Sequence, residues 1–484
     1  MPVRPSVPPS LNAAQQSAVR QLLVVSPVVG ELGGRFEAAG HELALVGGSV
    51  RDALMDRLGG DLDLATSARP EVTEKLVEGW ADAVWDVGRA FGTIGCRKGD
   101  RHIEITTYRS ETYELDSRKP QVDYGDTLEG DLSRRDFTVN AMAVRLPELA
   151  FVDPYDGLAD LSRGLLRTPS TPEQSFDDDP LRMMRAARFA AQLGFDVDPE
   201  AIVAIKAMAD RLEIVSAERI RDELVKLINA PQPRLGLRLM VDTGLAAHVL
   251  PELPALRLER DEHHRHKDVY EHTLTVLDQA IELEERLPDG GPDFVVRFAA
   301  LMHDIGKPRT RRFGADGSVT FHHHDAVGAK MTIKRMRRLR FSKDTIEAVA
   351  ALVALHLRFH GYGGGEWTDS AVRRYVRDAG DQLERLHVLT RADCTTRNRR
   401  KAERLRRTYD HLEERIARLS EEEELAAMRP DLDGNEIMRV LDIAPGPAVG
   451  KAYRHLLELR LEHGPLGTQR ARDELLVWWA EQEH

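Results

Sequence analysis

The chain has 484 residues, enough for about three or four domains at roughly 100–200 residues each. Hydrophobic residues make up 42% and charged residues 31%, which excludes wholesale disorder. With 68 basic and 80 acidic side chains the formal charge is −12, which excludes a uniformly basic nucleic-acid coat but not local basic stripes. Cys96 and Cys394 are the only cysteines, too few for a disulfide framework or a thiolate-built zinc site. No apolar run approaches the ~20 residues that span a bilayer, and the proline-rich residues 1–10 read as a flexible tail without a signal-peptide core. A cytoplasmic protein with no membrane partner is expected.

Residues 11–40 carry helical spacing. Residues 42–46 predict a short apolar strand that ends at Gly47-Gly48, with a helix following from Ser49. Leu62 and Leu64 alternate with Asp61 and Asp63 as in a half-buried strand, and 101–108 and 141–145 alternate likewise. After about 168 strand signals become scarce and i, i+3, i+4 spacing takes over. It is clearest over 181–193, which Asp179-Pro180 open as N-cap and first-turn proline and Gly194 closes. The run 420–424 reads as a solvated helix face. The fold class is α+β: an α/β head of roughly 125 residues on a long helical body.

Three features of the head bear on chemistry. Gly47-Gly48, with Ser49, Arg51 and Asp52 behind them, let backbone N–H groups approach a phosphate at a helix start, although Gly-Gly alone is an ordinary turn. Asp61 and Asp63 stand at i and i+2 of a strand, so both carboxylates face one side. They repel unless a cation such as Mg²⁺, bridged to triphosphate oxygens, lies between them. Glu104 is a candidate third carboxylate, though an exposed strand glutamate reads the same way. Further on, Arg134 and Arg135 offer guanidinium forks to phosphate or carboxylate, and Asp136 and Asn140 can hydrogen-bond a ribose. Asp179 and Arg182 lie three apart, on one helix face by this spacing, and could match the Watson–Crick edge of a base; Arg185 and Arg188 extend that segment. The charge-rich segment 217–224 fits a surface helix as well as a site.

The GG-x-x-RD turn, with eight residues before DxD, resembles the nucleotidyltransferase head of the polymerase-β superfamily. With RRDFTVNAMA at 134–143 and DDDPLRMMRAARF at 177–189, residues 40–250 resemble the class II CCA-adding tRNA nucleotidyltransferase and bacterial poly(A) polymerase family. The resemblance implies two Mg²⁺ at Asp61 and Asp63, a ribose-sensing RRD segment, and CTP or ATP selected by Asp179 and Arg182 instead of a template. The residue before that pair, usually glutamate, is here Asp178, which puts its own role in doubt but not the pair's. Addition of C, C and A to a tRNA 3′ end is the implied activity. Poly(A) polymerase and partial CC- or A-adding enzymes share every head motif.

Residues 261–400 hold most of the histidines. The ordered set His272, His303-Asp304, His324, His356 and Asp393 resembles the HD phosphohydrolase superfamily, and suits Mn²⁺, Fe²⁺, Ni²⁺ or Zn²⁺. The resemblance implies His272, His303, Asp304 and Asp393 as metal ligands and His324 and His356 as extra ligands of a second metal, with His322, His323 and His360 expected to be bystanders. Gly306 is expected to close the helix that ends at His303-Asp304. Two basic stretches, 330–343 with seven cations and no acid and 397–407 with seven cations and one acid, are candidate RNA contacts, as is the weaker turn 444–451. The domain plan is a tail and helix (1–40), head (41–167), neck (168–255), HD domain (256–400) and helical RNA-binding tail (401–484). Rivals of other classes are a protein-uridylylating nucleotidyltransferase–HD regulator and an HD hydrolase with a vestigial head. The helical 401–484, without β/α sensing modules, and RRDFTVNAMA weigh against the first. Intact Asp61 and Asp63 weigh against the second.

Overall fold

The computed structural model describes residues 27–57, 59–112, 121–124, 127–257, 268–315, 319–359, 367–395, 398–423 and 429–482. The expected tail at 1–10, His360, Arg397 and Glu424 lie outside them. The chain divides into two compact units, Met1–Val249 and Leu250–His484. No described helix is long and apolar enough to cross a membrane.

In the first unit, strands β1 (Leu43–Val46), β2 (Asp61–Thr66), β3 (Ala83–Trp85), β4 (Thr93–Lys98) and β5 (Arg101–Thr107) build one sheet. It is completed, after the short pair β6 (Arg109–Thr112) and β7 (Gln121–Tyr124), by β8 (Ala143–Leu146) and β9 (Ala150–Val152). The order is β3-β4-β5-β2-β1-β8-β9, antiparallel except where β2 runs parallel to β5. All four β1 residues are buried because both faces of the sheet are covered. Leu43 and Leu45 join a core with Phe36, Leu32 and Ile105, while Ala44 and Val46 join one with Tyr108, Leu128 and Leu132. Burying each large side chain contributes about 1.5–3 kcal/mol. β8 starts two residues later than the alternation suggests, because Thr138–Asn140 first make a tight 3₁₀ turn. Gly157 packs on that turn, where a Cβ would stand 2.2 Å from the Thr138 carbonyl oxygen.

Helices Pro172–Asp178, Leu181–Leu193, Pro199–Met208, Ala217–Ile228 and Pro233–Thr243 complete the unit. Leu181–Leu193 ends at Gly194, left-handed at φ 72°, as expected. Its entry differs from the expectation. Asp179 is extended (φ −145°, ψ 100°), so it lies before the helix and does not share a helix face with Arg182. It still caps: its carboxylate accepts from the Leu181 N–H at 3.1 Å.

The second unit is almost wholly helical. Val269–Glu282, Phe294–Met302, His324–Arg338, Lys343–Leu355 and Leu383–Ala392 pack together, and Arg399–Glu423 runs for 25 residues. The last three helices, Gly434–Leu441, Pro447–His463 and Thr468–Glu481, share a small core of Leu432, Ile437, Leu456 and Leu475. Glu421 is exposed, in keeping with a solvated helix face.

Candidate functional site

β2 and β5 bring the acidic residues together. Leu62 and Leu64 point into the core, so Asp61 and Asp63 point out of it, and the parallel register pairs Asp63 with Glu104. All three line an open cavity of about 820 Å³. Burial, reinforced by Asp61 against the opposing pull of Arg135, raises the Asp63 carboxyl above its ordinary value. Glu104 is raised by burial, then by Asp63 and Asp61. Three carboxylates crowded on one wall, Asp63 and Glu104 with raised proton affinity, fit a divalent cation. They are not gathered as tightly as the second unit's metal-type clusters.

The turn before α-helix Gly48–Leu54 faces the same space. Gly47 is left-handed at φ 67°, and a Cβ there would stand 2.6 Å from the Arg135 guanidinium. The Ser49 hydroxyl accepts from the Asp63 N–H at 2.9 Å, tying the turn to the carboxylate strand. Arg51 forks onto Asp52 (2.8 and 2.9 Å) and reaches the Asn140 side-chain oxygen at 2.6 Å. Asn140 then donates to Asp136 at 3.0 Å, and Asp136 receives Arg185 at 2.7 Å and the Phe137 N–H at 2.8 Å. Burial opposes ionisation of Asp136, but Arg185 and Asn140 hold its carboxyl down to about 2.

Asp179 and Arg182 both line the cavity although they do not share a helix face. Arg182 is clamped by the Ser175 hydroxyl at 2.9 Å and the Arg134 carbonyl at 2.5 Å, and Asp179 is held by Arg219 at 2.8 Å. Asp178 takes no part in the cavity; it accepts from Gln174 on the exposed side of its helix. Phe189 is ringed by Arg188, Arg51 and Arg185, at 4.0, 5.3 and 5.4 Å from its centroid. Segment 217–224 belongs to this wall. Besides Arg219, it supplies buried Glu223, which takes Arg188 at 2.6 Å. Lys226, Arg57 and Asp131 also line the cavity and were not singled out in the sequence. Lys226 follows the pattern of an exposed helix, Arg57 lies just after the helix Gly48–Leu54 and Asp131 is buried in Leu128–Ser133, so only packing distinguishes them.

In the second unit the six expected ligands converge. His272, His303 and Asp393 form one triad and Asp304, His324 and His356 another, each with candidate ligand atoms within 4.8 Å of one another. Asp304 joins them: one oxygen lies 3.2 Å from His303 Nε2 and 3.6 Å from His272 Nε2, the other 3.4 Å from His324 Nε2. His303, His324 and His356 each place Nδ1 2.7 Å from a backbone carbonyl, of Ala300, Phe321 and Val353, which makes Nδ1–H the donor. Their Nε2 atoms are buried without a hydrogen-bond partner. Burial, helped by His303, pushes His356 down to about 4, so its ring is neutral and able to ligate. Orphaned imidazole nitrogens aimed at carboxylates fit a divalent transition metal. Gly306 does not close the preceding helix, which ends at Met302. It is right-handed (φ −74°), and it is glycine because a Cβ would stand 2.1 Å from the His324 carbonyl oxygen. His322 and His323 are exposed, away from the cluster.

A mixed sheet presenting paired aspartates to an arginine-lined cavity, followed in the chain by a helical unit with an imidazole–carboxylate cluster, defines a nucleotidyltransferase joined to an HD domain. Family comparisons agree. Residues 43–167 match the poly A polymerase head domain, 194–256 the "Probable RNA and SrmB- binding site of polymerase A", and 269–398 the HD domain. The A-adding tRNA nucleotidyltransferase of Deinococcus radiodurans is 34% identical over 449 residues, 91% of this chain and 96% of that one. The CCA-adding enzyme of Streptococcus gordonii is 40% identical over 229 residues, so the match spans 56% of its length. The Bacillus stearothermophilus CCA-adding enzyme in complex with CTP shares the fold, with TM-score 0.68 at 22% identity over 98% of this chain and 99% of that one. The Thermotoga maritima CCA-adding enzyme complexed with tRNA has TM-score 0.59 at 19% identity over 95% and 98%. The chain belongs to the tRNA nucleotidyltransferase family.

Proposed function

We propose that the head adds C, C and A to a tRNA 3′ end, using CTP and ATP and releasing pyrophosphate, in the cytoplasm. One observation supports this reading: the carboxylate wall, the hydrogen-bonded Asp136–Asn140 pair and the Asp179/Arg182 pair line a single cavity. Asp61 and Asp63, with Glu104 beside them, would hold Mg²⁺ ions, which supply Lewis-acid activation of the attacking hydroxyl and charge neutralisation on the leaving pyrophosphate. Gly47, Gly48, Ser49 and Arg51 would receive the triphosphate. Asp136 and Asn140 would fix the ribose, and Arg134, Arg135, Arg185 and Arg188 would balance phosphate charge. Clamped by Ser175, Arg182 presents its fork in one orientation, and Asp179, held by Arg219, supplies the acceptor beside it. Protein groups at fixed positions can thus select a base without a template.

Transcripts ending before CCA, after C and after CC, each given one labelled NTP at a time, test the reading. Ordered CTP-then-ATP incorporation that stops after three supports it. ATP incorporation confined to the transcript ending in CC would replace it with A-addition, the activity named for the full-length Deinococcus relative. Unlimited ATP addition would point to a poly(A) polymerase.

For the second unit we propose a metal-dependent phosphohydrolase, with His272, His303, Asp304, His324, His356 and Asp393 holding two divalent ions such as Mn²⁺, Ni²⁺, Fe²⁺ or Zn²⁺. Trimming a blocked 3′ end would restore the hydroxyl that the head extends. Unchanged hydrolysis of cyclic nucleotides after chelation or His303→Ala overturns this reading. The working division is head 41–167, neck 168–255, HD domain 256–400 and tail 401–484.

A further inference from the structure

Helix His324–Arg338 starts inside the imidazole cluster and carries a one-sided row of cations away from it. His324, Gly328, Thr332, Arg335 and Met336 occupy its buried side. Lys330, Lys334, Arg337 and Arg338 fall together on the opposite side, and all four are exposed. None of the four has a carboxylate partner among the described residues, and no acid stands on their face. Some other cations of the unit are paired with acids: Arg335 with Glu252, Arg358 with Asp378, Arg377 with Asp378 and Glu458, Arg286 with Glu413. Lys330, Lys334 and Arg338 succeed one another at i, i+4 and i+8, a spacing at which like charges destabilise a helix. Such a row costs stability unless an anion meets it.

At 1.5 Å per residue the row begins about 9 Å along the axis from His324 and ends about 21 Å from it. An extended polyanion fits that length, and its end would then lie at the metal-type cluster. No aromatic or large aliphatic residue of this helix is exposed, as an anchor in a lipid surface would have to be. We infer that this row holds the phosphates of an RNA strand whose terminal phosphoester lies at the imidazole–carboxylate cluster, so that the second site acts on RNA ends in preference to free nucleotides. The inference rests on the phosphohydrolase reading. The step is hydrolysis: the oxygen of water bonds to phosphorus, the phosphorus–ribose oxygen bond breaks, and the proton of water passes to the departing ribose oxygen.

The test compares the full chain with K330Q/K334Q/R337Q/R338Q on two substrates, a short RNA ending in a 2′,3′-cyclic phosphate and 2′,3′-cyclic AMP. KM for the RNA rises at least tenfold in the variant, while kcat/KM for cyclic AMP is unchanged. The salt dependence of kcat/KM on RNA becomes shallower by about 3 in log–log slope, from about 0.7 per phosphate for a single strand. An unchanged KM for the RNA, or an equal fall on both substrates, overturns the inference. A photo-cross-linker at position 334 in the His303→Ala chain gives a readout that needs no hydrolysis. Attachment to the last nucleotides of the RNA supports the surface. Absence of attachment, or capture of phosphatidylserine vesicles without RNA attachment, overturns it. If the natural chain cleaves neither substrate, the phosphohydrolase reading fails, and the cross-link still decides the surface separately.

Discussion

Replacing Asp136 with asparagine tests how much the ribose-side network contributes to the fold. The native carboxylate is 7% exposed and accepts from Arg185, Asn140 and the Phe137 N–H. Its carboxyl is held at about 2, against an ordinary 3.8. A depression of nearly two units corresponds to about 2.5 kcal/mol at neutral pH. Because the folded value is depressed, this contribution is fully present above pH 3.8 and is lost as the pH falls towards 2. About half of it remains at pH 3 by the same linkage. Urea unfolding would be followed at Trp80 and Trp85, both in the first unit, in a W367F/W478F/W479F background. Asp136→Asn is expected to lose about 2–3 kcal/mol at pH 7, and about half as much at pH 3. A loss below about 1 kcal/mol at pH 7, or the same loss at both pH values, would refute the reasoning.

Asp63→Asn removes a partly desolvated charge repelled by Asp61, so the metal-free head gains stability at pH 7 while nucleotide transfer falls by more than about a thousandfold. Thermal unfolding with and without Mg²⁺ and labelled CTP incorporation check both halves, and retained turnover removes the metal-ligand assignment. Ser175→Ala loosens the Arg182 fork, leaving the Arg134 carbonyl bond, at a cost of about 1–2 kcal/mol of orientation, so discrimination of CTP and ATP against UTP and GTP falls about tenfold in kcat/KM ratio. His303→Ala strips divalent transition metal from the second unit, measured by elemental analysis, while transfer by the head is retained.

Local sequence was enough to mark most of this chemistry. A two-residue strand period places Asp61 and Asp63 on one side whatever surrounds them, and the backbone period at 181–193 needs only its own leucines and Gly194. The six imidazole and carboxylate residues of the second unit were legible as an ordered set. The orphaned Nε2 atoms were not, because only three carbonyls one turn back fix the tautomers. Other features depended on contacts between distant segments. Asp179 and Arg182 meet at the cavity through an extended turn instead of a helix face, because Arg219 and Ser175, 40 and 7 residues away, hold them. Segment 217–224 fitted a surface helix as well as a site until packing turned Glu223 inward, and Lys226 just beyond it carried no signal of its own.

The amino-acid pattern by itself determined the class of chemistry, since charge type and short-range period are local properties. The tertiary structure alone decided which charges are paired. It set Gly306 and Gly157 by backbone approach, buried Asp136 beside Arg185, and left Lys330, Lys334, Arg337 and Arg338 without acidic partners among the described residues. The reason is physical: an ion pair or a close backbone approach is a distance between chain segments, and no local pattern contains that distance.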